Sequence, residues 1–183
     1  MKIRTILFWI IILVIVDQII KIIVHSYFLE TRFDIIPQLF EFKPTFNTKH
    51  SYFNALLYKH FNIDIGLYAH IIIFLIAEII ILTLYTFFRN IDLKSKKLLD
   101  LAFIFQLAGM ICAVSGNLIW KKGTLDYIYL KPLFVFDLKD LYLNCFMVLF
   151  LIFFFRNYTE MKKIKTKDVV LYIKNVVFKK EKE

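Results

Sequence analysis

The sequence predicts a membrane-embedded α-helical protein: a four-transmembrane-helix bundle with a small β-containing extracytoplasmic cap and a cytoplasmic amphipathic C-terminal tail. Three observations carry this prediction. The 183-residue chain is 60% hydrophobic, where a soluble domain is nearer half apolar. Four of its stretches approach the roughly 20 apolar residues that a helix needs to cross about 30 Å of hydrocarbon. Its net charge of +9 gathers at the ends of those stretches and forms no continuous basic face, which argues against nucleic acid as a partner.

The first span is expected over residues 6–24. It follows Lys2 and Arg4, as the apolar core of a signal peptide would. No small-x-small cleavage site comes after it, however, and the apolar run resumes beyond Lys21, so the expectation is an uncleaved span. The second span is expected over 65–88 and the third over 98–120. The fourth, read from Leu141 to Phe155, is short. Starting its helix near Phe136 gives a span of 136–155, long enough to cross.

Basic residues in short loops orient such a bundle. Arg89, Lys94, Lys96 and Lys97 lie between spans two and three, Lys2 and Arg4 precede span one, and lysines crowd the tail. With four spans these regions share a side, which predicts that both termini are cytoplasmic. The segments 25–64 and 121–140 then face the periplasm or exterior. In the first of them, the near-alternation from Leu39 to Phe46 predicts a short strand pair. The chain thus divides into a four-span domain over 1–155 and a basic tail over 156–183. In the tail, Val169, Tyr172, Ile173, Val176 and Val177 recur among lysines. This predicts a basic amphipathic helix, either lying on anionic membrane lipid or only fixing the topology.

Polar residues inside the spans carry the functional information, because charge in lipid is costly and usually faces the bundle interior or a wet cavity. At 1.5 Å per residue, Asp17, Lys21, Asn117 and Asp140 all fall within about 10 Å of the outer membrane face. Asp17 and Lys21 are four apart and can pair along one helix face. Glu78 and Gln106 share a deeper level, where a hydrogen bond between them would join spans two and three. His70 is read as an interfacial residue, and Cys112 and Cys145 as buried free thiols. No His or Cys cluster stands at metal spacing, so neither a metal nor a cofactor is expected. From residues alone, Asp126 reads as a loop residue after the Gly123-Thr124 turn. Asp140 reads as a charge favoured by a helix N-terminus. Lys139 is expected to point elsewhere.

In order along the chain, these residues resemble one known set. "DQIIK" at 17–21 is similar to the D-Q-x-x-K signature of bacterial lipoprotein signal peptidases, the signal peptidase II family. "IIPQLFEFKPTFNT" at 35–48 resembles the segment after that family's first span. "SGNLI" at 115–119 resembles its G-N-x-x-D-R box, "LDYI" at 125–128 its Val-Asp-Phe element, and "FDLKD" at 136–140 its F-N-x-A-D box. The resemblance covers about Ile6 to Phe155. It implies a four-span aspartic endopeptidase of the cytoplasmic membrane that cuts a lipidated prolipoprotein just before a diacylglyceryl-modified cysteine. By the same resemblance Asp126 and Asp140 are catalytic, Asn47 and Asn117 line the site, and Asp17 and Lys21 support it.

The sequence also departs from the pattern. Trp120 and Lys121 stand where the family has Asp-Arg, Asp137 replaces an Asn, and Lys139 replaces an Ala. Asp137 lies three residues before Asp140 and could compete with it as a carboxylate. The departures leave open a catalytically weakened relative that binds lipoproteins or a partner protein without cleaving. A small transporter using Asp17, Glu78 and Gln106 as a polar path is disfavoured, because the inner half of the bundle holds few other polar residues.

Overall fold

In hydrocarbon a lone chain segment can satisfy its backbone N–H and C=O groups only as a helix, and each apolar run takes that form. The computed structural model describes residues 1–120 and 122–178. In chain order the elements are α1 (Ile3–Tyr27), β1 (Phe33–Ile36), β2 (Phe40–Asn47), α2 (Tyr52–Phe61), α3 (Leu67–Asn90), α4 (Lys96–Ile119), β3 (Thr124–Leu130), β4 (Phe134–Phe136), α5 (Leu138–Arg156), α6 (Tyr158–Met161) and α7 (Thr166–Phe178). The helices α1, α3, α4 and α5 are long and apolar enough to cross a membrane. They match the four expected spans to within three residues at each end.

α4 is the central helix, and it packs against α1, α3 and α5. Its buried positions include the small residues Ala102, Ala108, Gly109, Ala113 and Gly116, which let neighbouring backbones approach closely. Gly109 shows the effect. A Cβ there would sit 2.9 Å from the Leu143 side chain and 3.3 Å from the Lys139 carbonyl oxygen on α5. Outward-facing Ile11, Ile72, Ile76 and Leu151 are exposed, as lipid contact requires. α3 is the most exposed of the four spans. Gln106 Nε2 on α4 donates to Glu78 of α3 at 3.1 Å. At the far end of the same pair, Tyr85 Oη donates to the buried Asp100 at 2.8 Å, and Arg89 pairs with that carboxylate at 3.2 Å.

The cap is a four-stranded antiparallel sheet in the order β1-β2-β3-β4. The register of β2 on β3 shifts between Phe42 and Thr45, the place where Pro44 can sit without breaking a ladder hydrogen bond. Side chains alternate across the sheet. Leu125 and Tyr127 therefore pack on Val24 of α1 with Phe42 and Phe46, and Asp126 faces the other way. Asp126 is thus a strand residue, paired with Thr45, and the expectation of a loop residue is corrected. Gly123 enters β3 at φ +101°, and a Cβ there would lie 2.2 Å from the Asn47 carbonyl oxygen. Only glycine fits this turn.

α2 is a further element of the segment between α1 and α3. Ser51 accepts from the Asn54 backbone N–H at its start, and Asn62 ends it in the left-handed region. The fully buried Asn54 side chain ties the helix to the Lys49 and Ile65 backbones and to Asp64. At the other end of the chain, Tyr172 of α7 stacks edge-on against Phe87 of α3 at 5.4 Å and accepts from Asn90 at 3.0 Å. The side chains of Val176 and Val177, and residues 179–183, lie outside the described residues.

One other expectation is corrected. Cys112 is buried, but Cys145 is exposed on the outside of α5. His70 stands in the first turn of α3 and is buried. Its ring lies 4.5 Å from that of Phe74 and 6.3 Å from that of His50.

Candidate active site

β3 and the start of α5 bring three carboxylates together. One oxygen each from Asp126, Asp137 and Asp140 lies within 4.8 Å of the other two. Asp137 is the N-cap of α5. Its carboxylate accepts from the Asp140 backbone N–H at 3.3 Å, and the Asp140 carboxylate accepts from the Asp137 backbone N–H at 3.1 Å. This reciprocal capping box fixes both acids on the helix end. Asp126 comes from the sheet, and Asn47 Nδ2 on β2 donates to it at 3.4 Å. Burial pushes the Asp126 carboxyl above its ordinary range. The Lys139 ammonium opposes that rise, and the Asp137 charge adds to it.

Lys139 does not point elsewhere. Its side chain is buried, and Nζ stands 2.8 Å from Asp137, 2.9 Å from Asp126 and 3.3 Å from Asp140. The spacing of the three acids would also suit a cation, and this ammonium stands among them. A second lysine extends the cluster to α1. Lys21 Nζ lies 2.9 Å from Asp17 and 2.7 Å from Asp137, with all three side chains fully buried. Gln18 Nε2 donates to Asp17 at 2.9 Å and reaches Ser115 of α4 at 3.5 Å. Gly116 lets β3 pack close beside this group, since a Cβ there would come within 3.1 Å of the Thr124 side chain. The polar residues of the first span thus meet Asp137, the acid that caps α5.

Asn117 sits one step further out. Its Oδ1 lies 2.7 Å from His50 Nδ1, and its Nδ2 donates to the Ala113 carbonyl. The structure therefore places Asp137 within the acid cluster, brings Lys21 and Asn47 into contact with it, joins Asp17 to it through Lys21, and links Asn117 to its rim through His50. Trp120 occupies the altered third box. Its ring lies 4.8 Å from that of His25, and its buried Nε1 has no hydrogen-bond partner among the described residues. Lys121 lies outside the described residues.

A cavity of about 510 Å³ opens onto Asp126, Lys139 and Asp140. Its walls are Phe46, Asn47, His50 and Ala55 from the cap and its helix, with Phe74, Ala113 and Leu143 from the spans. It is mostly apolar with acids at one end, a shape suited to an extended apolar chain whose polar link is to be cut. His50 is a polar residue the sequence reading passed over, and Lys139 is one it turned away from the site. The "KHSYF" that follows Asn47-Thr48 carried the signal for the first, and the D-x-K-D spacing carried it for the second.

Comparison with known proteins identifies a family. The family model of signal peptidase (SPase) II, Peptidase_A8, matches residues 9–156. One similar solved structure is described as a bacterial membrane enzyme determined by the in meso method at 1.9 Å resolution. It has a TM-score of 0.61 and 21% identity over 82% of this chain and 92% of its own. A second, also a bacterial membrane enzyme by the in meso method, at 2.3 Å, has a TM-score of 0.63 and 20% identity over 90% of this chain and 95% of its own. At such identities the likeness shows the fold alone. No curated protein matches the chain. The family match runs from within α1 to the end of α5, through every element that supplies an acid to the cluster, and the chain therefore belongs to the signal peptidase II family, the aspartic peptidases that cleave signal peptides from bacterial lipoproteins.

Proposed function

We propose that Asp126 and Asp140 are the catalytic pair, and that they cut a diacylglyceryl-modified prolipoprotein just before its lipidated cysteine at the outer face of the cytoplasmic membrane. The observation that carries this reading is the approach of the two carboxyls to within 4.8 Å at the head of an apolar cavity. At that separation one water molecule can touch both. Like charges so close do not both ionise cheaply, so the pair holds one proton and acts as a unit. The ionised member takes a proton from water, and the water oxygen attacks the scissile carbonyl carbon. The protonated member gives its proton to the carbonyl oxygen. Collapse of the tetrahedral intermediate then breaks the C–N bond, and the leaving amine takes up a proton from the pair.

The supporting residues have separate duties. Asn47 orients Asp126, and Asp137 holds Asp140 through the capping box. Lys21 and Asp17 anchor Asp137 to α1. The substrate's acyl chains lie in the bilayer beside the cavity, and the positive-inside pattern puts both termini in the cytoplasm. A second reading, a weakened relative that binds without cutting, is favoured by the Lys139 ammonium within hydrogen-bond reach of both acids.

Purified protein incubated with a diacylglyceryl-modified prolipoprotein and with its unlipidated form decides between the two. The peptidase reading expects a cut immediately before the modified cysteine and at least a tenfold preference for the lipidated form. Retention of the lipidated substrate without any cut supports the binding reading and contradicts the peptidase one.

A further inference from the structure

An ammonium has three donors, and at Lys139 three different carboxylates take them: Asp126, Asp137 and Asp140. Nζ reaches both members of the proposed pair, at 2.9 Å and 3.3 Å. Resting on the assignment of Asp126 and Asp140 as that pair, we propose that Lys139 is a positioning residue whose ammonium takes over part of the work of the shared proton, so that Asp126 gives up its proton at lower pH and cleavage is displaced toward acid.

The physical case is competition for the same oxygens. Two adjacent carboxylates bind a proton tightly because it relieves their repulsion. An ammonium within about 3 Å of both relieves the same repulsion, so less is gained by adding the proton. Among the described residues, the charges facing the site are Asp17 and Lys21 from α1, Asp126 from β3, and Asp137, Lys139 and Asp140 from the head of α5. Beside them α4 presents the Cys112 thiol and the neutral Asn117, and the cap presents His50 at the cavity wall. Of the two ammonium groups, Lys21 is committed to Asp17 and Asp137, and only Lys139 touches the pair. Removing Lys139 leaves Asp137 still paired with Lys21 at 2.7 Å, so the change can be made without stranding that carboxylate.

The test uses the full chain in lipid nanodiscs: wild type, Lys139→Met, and the charge-balanced double variant Asp137→Asn with Lys139→Ala. Infrared titration follows the protonated-carboxyl band, assigned to Asp126 by its loss in Asp126→Asn. The same samples are assayed from acid to alkaline pH with a diacylglyceryl-modified prolipoprotein peptide. The expected result is a band that disappears roughly one pH unit or more lower in wild type than in Lys139→Met, with the double variant between them. The alkaline limb of cleavage should move the same way. Superimposable band titrations, a wild-type band that persists to higher pH, or a cleavage profile that stays in place while the band moves would each overturn the proposal. Absence of cleavage in every variant counts against the peptidase reading, and the band alone then decides on Lys139.

Discussion

Lys21 is a fully buried cation held between two fully buried carboxylates, 2.9 Å from Asp17 and 2.7 Å from Asp137. Breaking such a pair from one side costs about 3–5 kcal/mol, because charge is left buried without a partner. Lys21→Ala should therefore lower the stability of the detergent-solubilised protein by about that much in thermal melts, and Lys21→Arg by less. Asp126 behaves in the opposite sense. Burial raises its folded-state pKa above the ordinary 3.8, so the folded protein binds more protons than the unfolded chain as pH rises from there. Stability falls through that window. Asp126→Asn should remove this decline, melting above wild type at neutral pH and converging with it near pH 4, as melts across pH will show. At this scale the acids were legible in the sequence because five motifs occur in order. Lys139 was not. A helical projection turns residue 139 about 200° from residue 137, away from the acids. Asp137, however, is an extended cap at φ −134° and ψ −168°, not a helical residue. The long lysine stem bends its charge back to the cluster.

Among the elements, the spans were legible because lipid permits little else for an apolar run of that length. β3 and β4 were not. Thr124–Leu130 carries a motif that drew attention to one residue, and Phe134–Phe136 is too short to show a period. α2 had its signals, a serine cap and an asparagine end, but lacked a clean apolar stripe. It is held by the side-chain hydrogen bonds of the buried Asn54, which no periodicity reveals. Two glycines set how the elements meet. Gly123→Ala would drive a methyl group into the Asn47 backbone at 2.2 Å, in a conformation that costs a non-glycine residue roughly 1–3 kcal/mol. It should separate Asn47 from Asp126 and reduce cleavage more than tenfold, measured beside the melting temperature. At Gly109 a valine would overpack the α4–α5 contact beneath Lys139. A loss of about 1–3 kcal/mol is expected, whereas alanine needs a smaller shift, of the Leu143 side chain and of the Lys139 carbonyl oxygen 3.3 Å from its Cβ.

The whole molecule reads as a wedge of charge built at one end of an apolar bundle. α4 forms the buried centre, the sheet closes the end that holds the acids, and α5 begins at the point where sheet and bundle meet. The placement of lysines predicts the sidedness, and cysteine labelling with a membrane-impermeant reagent tests it. A cysteine placed at the exposed Lys59 should label from the outer side, and one at the exposed Lys163 from the cytoplasmic side. The opposite pattern would invert the bundle and put the acids at the wrong face. Function was legible at this scale through motif order, and the structure adds the convergence of α1, β3 and α5 on one cluster of charges. The central claim is that Asp126 and Asp140 together hydrolyse the peptide bond. It is tested most directly by mass spectrometry of a diacylglyceryl-modified prolipoprotein after incubation with wild type, Asp126→Asn and Asp140→Asn, each first shown to be folded by its melting curve. The account predicts a fragment beginning at the lipidated cysteine with wild type and none above background with either variant. The same fragment released by a folded variant at the wild-type rate would contradict it.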